Sequence, residues 1–258
     1  MTSSDPAPGL CAVVLAAGMG TRLRPLTDHL PKALCPVGNV PLLDLALASV
    51  APYADDVAVN VHYLPAMVRA HCADRRVHLS DETGRLLGSG GALGHLRSWI
   101  AGRPVLVRNV DAYLTGDLSV LVSGWDGVRP RILGIDRGTA SDFGNWRYVG
   151  ACLIPAVAAA ALPDDVASLF EHVWQPAWLR GDLEIVPAQG VVVDCGTPHD
   201  YLAANLIASG GRSVVGPGAD VRGRLERAVV WPGGHVGAGE VLVDCIRVGR
   251  DVTVDARA

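Results

Sequence analysis

An unbroken apolar run from Cys11 to Ala17 stops at Gly18 and Gly20, and the next apolar stretch, Pro41 to Val50, repeats at helical spacing. A run this short, with apolar side chains at every position, suits a strand covered on both faces, which is the situation of a parallel sheet. The alternation continues down the chain. Val57 to Val61 reads as a strand, Leu64 to His71 as a helix, Val77 to Ser80 as a strand, Leu93 to Ile100 as a helix, and Pro104 to Val110 as a strand that runs into Asp111. Strands alternating with helices at these intervals imply an α/β fold with a mostly parallel sheet and helices on both faces.

Past Ser123 the pattern loosens. A strand is expected near Arg131 to Ile135, a polar glycine-containing loop from Asp136 to Asn145, and a strand from Arg147 to Leu153. Helical stretches at Ala156 to Ala161 and Val166 to Trp178 precede a strand ending at Val193 or Asp194 and a helix from Pro198 to Ile207. Gly210 and Gly211 then mark a boundary. Beyond it Val215 and Val221, then Val230, Val236 and Leu242, then Ile246 and Val252 step by six residues, with Gly216, Gly237 and Gly249 between them. Six-residue spacing is the mark of a β-helix coil, here with its phase broken twice. The expected division is a main domain over residues 1–209 and a short hexapeptide-repeat tail over residues 212–258. So short a stack must pack against the main domain or another subunit, so the tail offers a route to a homo-oligomer.

Composition removes several function classes. At 258 residues, 50% hydrophobic and 19% charged, the chain can bury a full core. A net charge of −4 with no dense arginine run argues against nucleic acid as a partner. Met1 to Gly9 carries no basic leader, and the apolar run after it is too short to span a bilayer, so a cytoplasmic protein with no membrane association is expected. The six cysteines stand singly, without a C-x-x-C pair, and read as small buried hydrophobes or free thiols.

Of the 22 lysines and arginines, Lys32 alone is a lysine. A compact ammonium on a flexible stem suits a phosphate oxygen in a tight place where a planar guanidinium does not fit. Lys32 closes the stretch in which Ala16, Ala17, Gly18 and Gly20 leave a strand end free of bulk, so backbone amides can approach a phosphate, and Arg22 brings a second cation. A dinucleotide fingerprint starting at Gly18 would need glycine where Leu23 stands, and the P-loop pattern would need glycine before its lysine, where Pro31 stands.

The stretch Leu15 to Gly38, LAAGMGTRLRPLTDHLPKALCPVG, closely resembles the signature of the sugar-1-phosphate nucleotidylyltransferases, L-A-A-G-x-G-T-R-L-x-P-L-T followed by P-K-x-L-x-P-V. Gly88 to Leu93 (GSGGAL) is similar to that family's glycine-rich loop, Asn109, Val110 and Asp111 to its N-G-D, and Val193 to Tyr201 (VDCGTPHDY) to its D-I-G-T-P-x-D-Y. The resemblance implies a Rossmann-like catalytic domain with a left-handed β-helix-like tail, and Mg²⁺-dependent transfer of a nucleotidyl group from a nucleoside triphosphate to a sugar 1-phosphate. It further implies Arg22, Lys32 and Asp111 as catalytic residues and Asp111 and Asp194 as Mg²⁺ ligands. Leu15, Ala16, Ala17, Gly18, Gly20, Thr21, Gly88 and Gly91 would hold the nucleotide. Because the attacking phosphate oxygen is already ionised, such an enzyme needs no nucleophile of its own; positioning and charge neutralisation supply the acceleration.

The chain departs from the family in two places. With one lysine it cannot supply the further lysines that many members carry, which leaves Arg137 and Arg147 as candidates to meet the sugar phosphate. Val110 replaces the glycine of N-G-D. The tail and the segment VVWPG, Val229 to Gly233, resemble those of mannose-1-phosphate guanylyltransferases, and that resemblance implies GTP and mannose 1-phosphate. A uridylyl- or thymidylyltransferase acting on a hexose or amino-sugar phosphate, or a non-catalytic nucleotide sensor, are the alternatives.

Overall fold

A computed structural model describes residues 9–82 and 84–257; the leader expectation for Met1 to Gly9 therefore lies almost wholly outside the described residues. The chain divides into two compact units: residues 1–18, 46–110 and 114–192, and residues 19–45, 111–113 and 193–258. The division does not fall at residues 209–212. It cuts the signature between Gly18 and Met19, and it places the C-terminal segment in one unit with Lys32, Asp111 and Asp194.

The first unit is built on a seven-stranded sheet in the order Glu184–Pro187, Arg131–Ser141, Gly144–Ile154, Val105–Asn109, Cys11–Leu15, Val57–Val61, His78–Asp81. Cys11–Leu15 pairs in parallel with Val57–Val61 on one side and Val105–Asn109 on the other. Gly144–Ile154 runs antiparallel to both of its neighbours. The mostly parallel expectation holds, and its cause is visible in the core: Cys11, Val13, Val105 and Val107 are fully buried, and Leu93, Ile132 and Ile154 join the same cluster.

Two expectations in this unit change. The polar loop expected from Asp136 to Asn145 is instead a hairpin, because Arg131–Ser141 and Gly144–Ile154 continue their ladder through Asp136↔Trp146 to Ser141↔Gly144. Its exposed outer residues carry no apolar alternation to announce it. The helix expected from Leu93 starts at Gly88 and breaks near Leu96, giving Gly88–His95 and Arg97–Ile100.

In the second unit, helix Pro198–Ala208 is capped by Thr197, which accepts the Asp200 amide, with Pro198 in the first turn. The C-terminal strands stack in parallel, Val214↔Val229↔Ile246 and Asp220↔His235, so that successive passes are 15 and 17 residues apart. Ala228, Val230, Val236, Leu242 and Cys245 fill the interior. The six-residue phase is kept at Val230, Val236 and Leu242 and lost at Val215 and Val252, which are exposed. The last strand, Val252–Asp255, turns back antiparallel.

Candidate active site

In the second unit the signature folds as two tight turns, Thr21–Leu23 and Lys32–Leu34. Gly20 is left-handed at φ 63°, and a Cβ there would lie 2.9 Å from Thr27 Cγ2 and 3.1 Å from Lys32 Cβ, so glycine lets the first turn close over the lysine stem. Thr27 Oγ1 donates to the Gly20 carbonyl at 2.8 Å and fixes that approach. Lys32 is 7% exposed. Its ammonium donates to Asp111 Oδ2 at 2.6 Å, and the Asp111 side chain is 32% exposed.

The second aspartate comes from an adjoining strand. Ala112–Leu114 and Val192–Asp194 pair, and the Cys195 amide donates to the Asp111 carbonyl at 2.9 Å. Asp194 Oδ2 lies 3.8 Å from Arg22 Nη2, both side chains being at least half exposed. Each carboxylate thus has a cation of its own: Lys32, buried and tight, for Asp111, and Arg22, open and loose, for Asp194. A Cβ at Gly196 would come within 2.8 Å of Arg22 Nη2 and 3.2 Å of Asp194 Oδ1, so this glycine of the VDCGTPHDY segment leaves room for the arginine beside the aspartate.

Cys35 and Cys195 are fully buried in the same unit. Burial pushes both thiols up to about 12, against the opposing field of Lys32; Cys195 is raised further by Asp111 and Asp194. Both are therefore protonated packing groups at neutral pH rather than nucleophiles. All six cysteines are buried, and none is in a disulfide.

In the first unit the end of strand Cys11–Leu15 is closely held. The Leu15 carbonyl accepts the Val110 amide at 3.1 Å, and the Ala16 amide donates to Asn60 Oδ1 at 2.6 Å. Ala16 and Ala17 are buried, whereas Gly18 is exposed and faces open space. Of the backbone amides at this strand end, that of Ala16 is engaged by Asn60. Val110, where the family has glycine, is buried and outside the left-handed region, so its β-branched side chain is core packing.

The glycines at 88, 90, 91 and 94 serve a different neighbour from the one expected. Added Cβ atoms at Gly88, Gly91 and Gly94 would collide with the carbonyl oxygens of Ala167, Asp165 and Pro163. The amides of Gly90 and Gly91 donate to the Ala167 carbonyl at 2.9 and 3.2 Å. Gly91 is thus used on both its Cα face and its amide by the segment 163–168. Gly88 alone of the pair is exposed. Arg137 is exposed and Arg147 half-buried on the 131–154 hairpin, and among the described residues neither forms an ion pair.

The donor set fits a hard divalent cation: two carboxylates, one from the turn before strand Ala112–Leu114 and one from the end of strand Val192–Asp194, of the kind that hold Mg²⁺ together with water and substrate phosphate. Among the described residues no group of three or more His, Cys, Asp or Glu side chains is arranged as a metal cage.

Residues 12–131 match the MobA-like NTP transferase domain. The chain is 34% identical over 229 residues to N-acetylmuramate alpha-1-phosphate uridylyltransferase of Caulobacter vibrioides, a match covering 75% of this chain and 94% of that protein. The chain belongs to the sugar-1-phosphate nucleotidylyltransferases. Mannose-1-phosphate guanylyltransferase of Mycobacterium tuberculosis is 31% identical over 118 residues, 43% of this chain and 32% of that protein. A UDP-glucose pyrophosphorylase structure from Acinetobacter baumanii shares the fold, with a TM-score of 0.61 at 18% identity, covering 76% of this chain and 92% of that one. Members of the family transfer a nucleotidyl group to a sugar 1-phosphate, so the chain is a nucleotidyltransferase. Among the described residues no helix is long and apolar enough to cross a membrane.

Proposed function

We infer that this nucleotidyltransferase uses UTP and the 1-phosphate of an acidic N-acetylamino sugar of the muramate type. The observation that carries the reading is the pair of charge couples in the second unit, Lys32 with Asp111 at 2.6 Å and Arg22 with Asp194 at 3.8 Å, on a chain that matches 94% of the length of a muramate phosphate uridylyltransferase. The guanylyl relative is matched over a third of its length, so it supports the base and sugar less well.

The roles follow from charge. Asp111 and Asp194 would hold Mg²⁺, which when bound neutralises phosphoryl oxygens and so lets one phosphate approach another. Lys32 orients Asp111 and offers its remaining donors to the α-phosphate or the sugar phosphate. Arg22, exposed and only loosely paired, swings to the β- and γ-phosphates of the leaving pyrophosphate. Gly18 and Gly88 give the nucleotide access to backbone. N-acetylmuramate carries a carboxylate that mannose and glucose lack. The all-arginine remainder of the chain suits it, since a guanidinium fork pairs a carboxylate in two places. Arg137 and Arg147 are the candidates for that contact. The tail, with its stacked parallel passes, is read as a short β-helical coil, the segment through which copies of the chain would assemble.

Pyrophosphate release with Mg²⁺, measured for each nucleoside triphosphate against a panel of sugar 1-phosphates, tests the reading. UTP with N-acetylmuramate 1-phosphate is expected to give the highest kcat/KM. Preference for GTP with mannose 1-phosphate would replace the base and sugar assignment. Nucleotide binding without release from any pair would favour a sensor.

A further inference from the structure

Within the first unit, the end of the signature strand and the entry to the glycine-bearing helix are joined through two buried side chains that the transfer chemistry leaves unused. The Ala16 amide donates to Asn60 Oδ1 at 2.6 Å, Asn60 Nδ2 donates to Glu82 Oε1 at 2.6 Å, and the Leu87 amide donates to Glu82 Oε2 at 2.9 Å. Asn60 and Glu82 are each 3% exposed. A carboxyl group this far from water normally has a cation beside it. Among the described residues Glu82 forms no ion pair; its two oxygens are met by one side-chain amide and one backbone amide. The two segments it ties each lead into an exposed glycine, Gly18 and Gly88.

Hydrogen-bond valence makes the acid specific. The Ala16 N–H requires Oδ1 of Asn60, so the Nδ2 end faces Glu82 and needs an acceptor. The Leu87 N–H needs a second. A carboxylate presents acceptors on both oxygens and no donor, whereas a glutamine presents one acceptor and turns an N–H toward one of the two donors. Nothing else of this shape satisfies both.

We propose that Glu82, acting through Asn60 on Ala16 and directly on Leu87, is a positioning residue of the nucleotidyl transfer: it holds the segments that end in Gly18 and Gly88 in the arrangement that accepts the nucleoside triphosphate. This rests on the reading that those segments hold the nucleotide. It assigns a role to a buried acid outside the phosphate-facing set, and it gives the reason the Ala16 amide is withheld from substrate.

Steady-state kinetics on the full-length chain test it through three variants. In Glu82→Gln a donor faces a donor, and the KM for UTP is expected to rise about tenfold, with the KM for the sugar 1-phosphate unchanged within about twofold. Asn60→Asp sets two carboxylates against each other and is expected to lose at least as much. The double variant Asn60→Asp/Glu82→Gln reverses the central hydrogen bond while Ala16 and Leu87 keep their acceptors and the total charge is kept. Its KM for UTP is expected to return to within about twofold of wild type. Equal rises in both KM values for Glu82→Gln, or a folded double variant whose UTP KM is still raised about tenfold, would overturn the proposal, and the second criterion stands even if a single variant does not fold. A wild-type protein that binds no nucleoside triphosphate removes the underlying reading as well, whereas intact wild-type binding with an unaffected Glu82→Gln removes this proposal alone.

Discussion

At the scale of single residues, the lone lysine acts through a partner. An ammonium 7% exposed needs a counter-charge, and Asp111 supplies it at 2.6 Å. Asp111→Asn leaves that ammonium buried without its anion. Loss of one member of a buried pair costs about 3–5 kcal/mol, and because Asp111 is one third exposed we expect about 2 kcal/mol in urea denaturation. Lys32→Arg keeps the charge but must fit a planar fork under Gly20, so kcat is expected to fall at least about a hundredfold; near-normal turnover would sink the role given to the ammonium. The buried thiols give a pH signature. Cys35 and Cys195 hold their protons up to about 12 in the folded protein, while in the unfolded chain they release them near the ordinary thiol value. Above that ordinary value the folded state binds more protons, so stability falls as pH rises from about 9 toward 12. A Cys35→Ala/Cys195→Ala variant should show a shallower fall in denaturation midpoint over that window.

At the scale of elements, the sequence is most informative where burial is complete and least where contacts are remote. Val57–Val61 matches its expected range because its apolar run is also its burial pattern, whereas Ala156–Ala161 matches on helix-forming alanines with Ala159 alone buried. Helix Gly88–His95 begins a turn and a half before its expected start, since four glycines argue against a helix locally and only the segment 163–168 packed on them explains why they are there. Gly91→Ala is expected to cost about 3 kcal/mol by forcing that segment away, read as a lowered thermal midpoint. Gly18→Ala, which meets nothing within 4 Å, is expected to leave the midpoint unchanged and to raise the KM for UTP if Gly18 borders the nucleotide. Equal destabilisation by the two would show that both glycines serve packing.

At the scale of the whole molecule, the C-terminal segment is built into the unit that carries the charge couples. Trp231 Nε1 donates to Tyr201 Oη at 3.1 Å, Tyr201 in turn donates to the Pro36 carbonyl, and Asn39 Nδ2 donates to the Val215 carbonyl at 3.0 Å. Gly38 is held by Asn205 Oδ1 at 3.0 Å. A chain ending at Gly211 would lose Trp231 and expose fully buried Tyr201, so we expect it to misfold or to melt well below the full chain with turnover lost, as checked by circular dichroism and pyrophosphate release. A truncated chain of normal stability and activity would restore the boundary expected at residues 209–212.

The sequence by itself determined the α/β class and the family, and put Lys32, Arg22, Asp111 and Asp194 forward as the charged set, because strand–helix periodicity and a long contiguous signature are local properties of the chain. Only the tertiary structure decided what each group is set against. It paired Lys32 with Asp111 across 79 positions, gave the Ala16 amide to Asn60 and the Asn60 amide to Glu82, and turned the Gly91 face to Asp165. Hydrogen-bond satisfaction and the desolvation of buried charge are settled between residues far apart in the chain, and no local pattern records them.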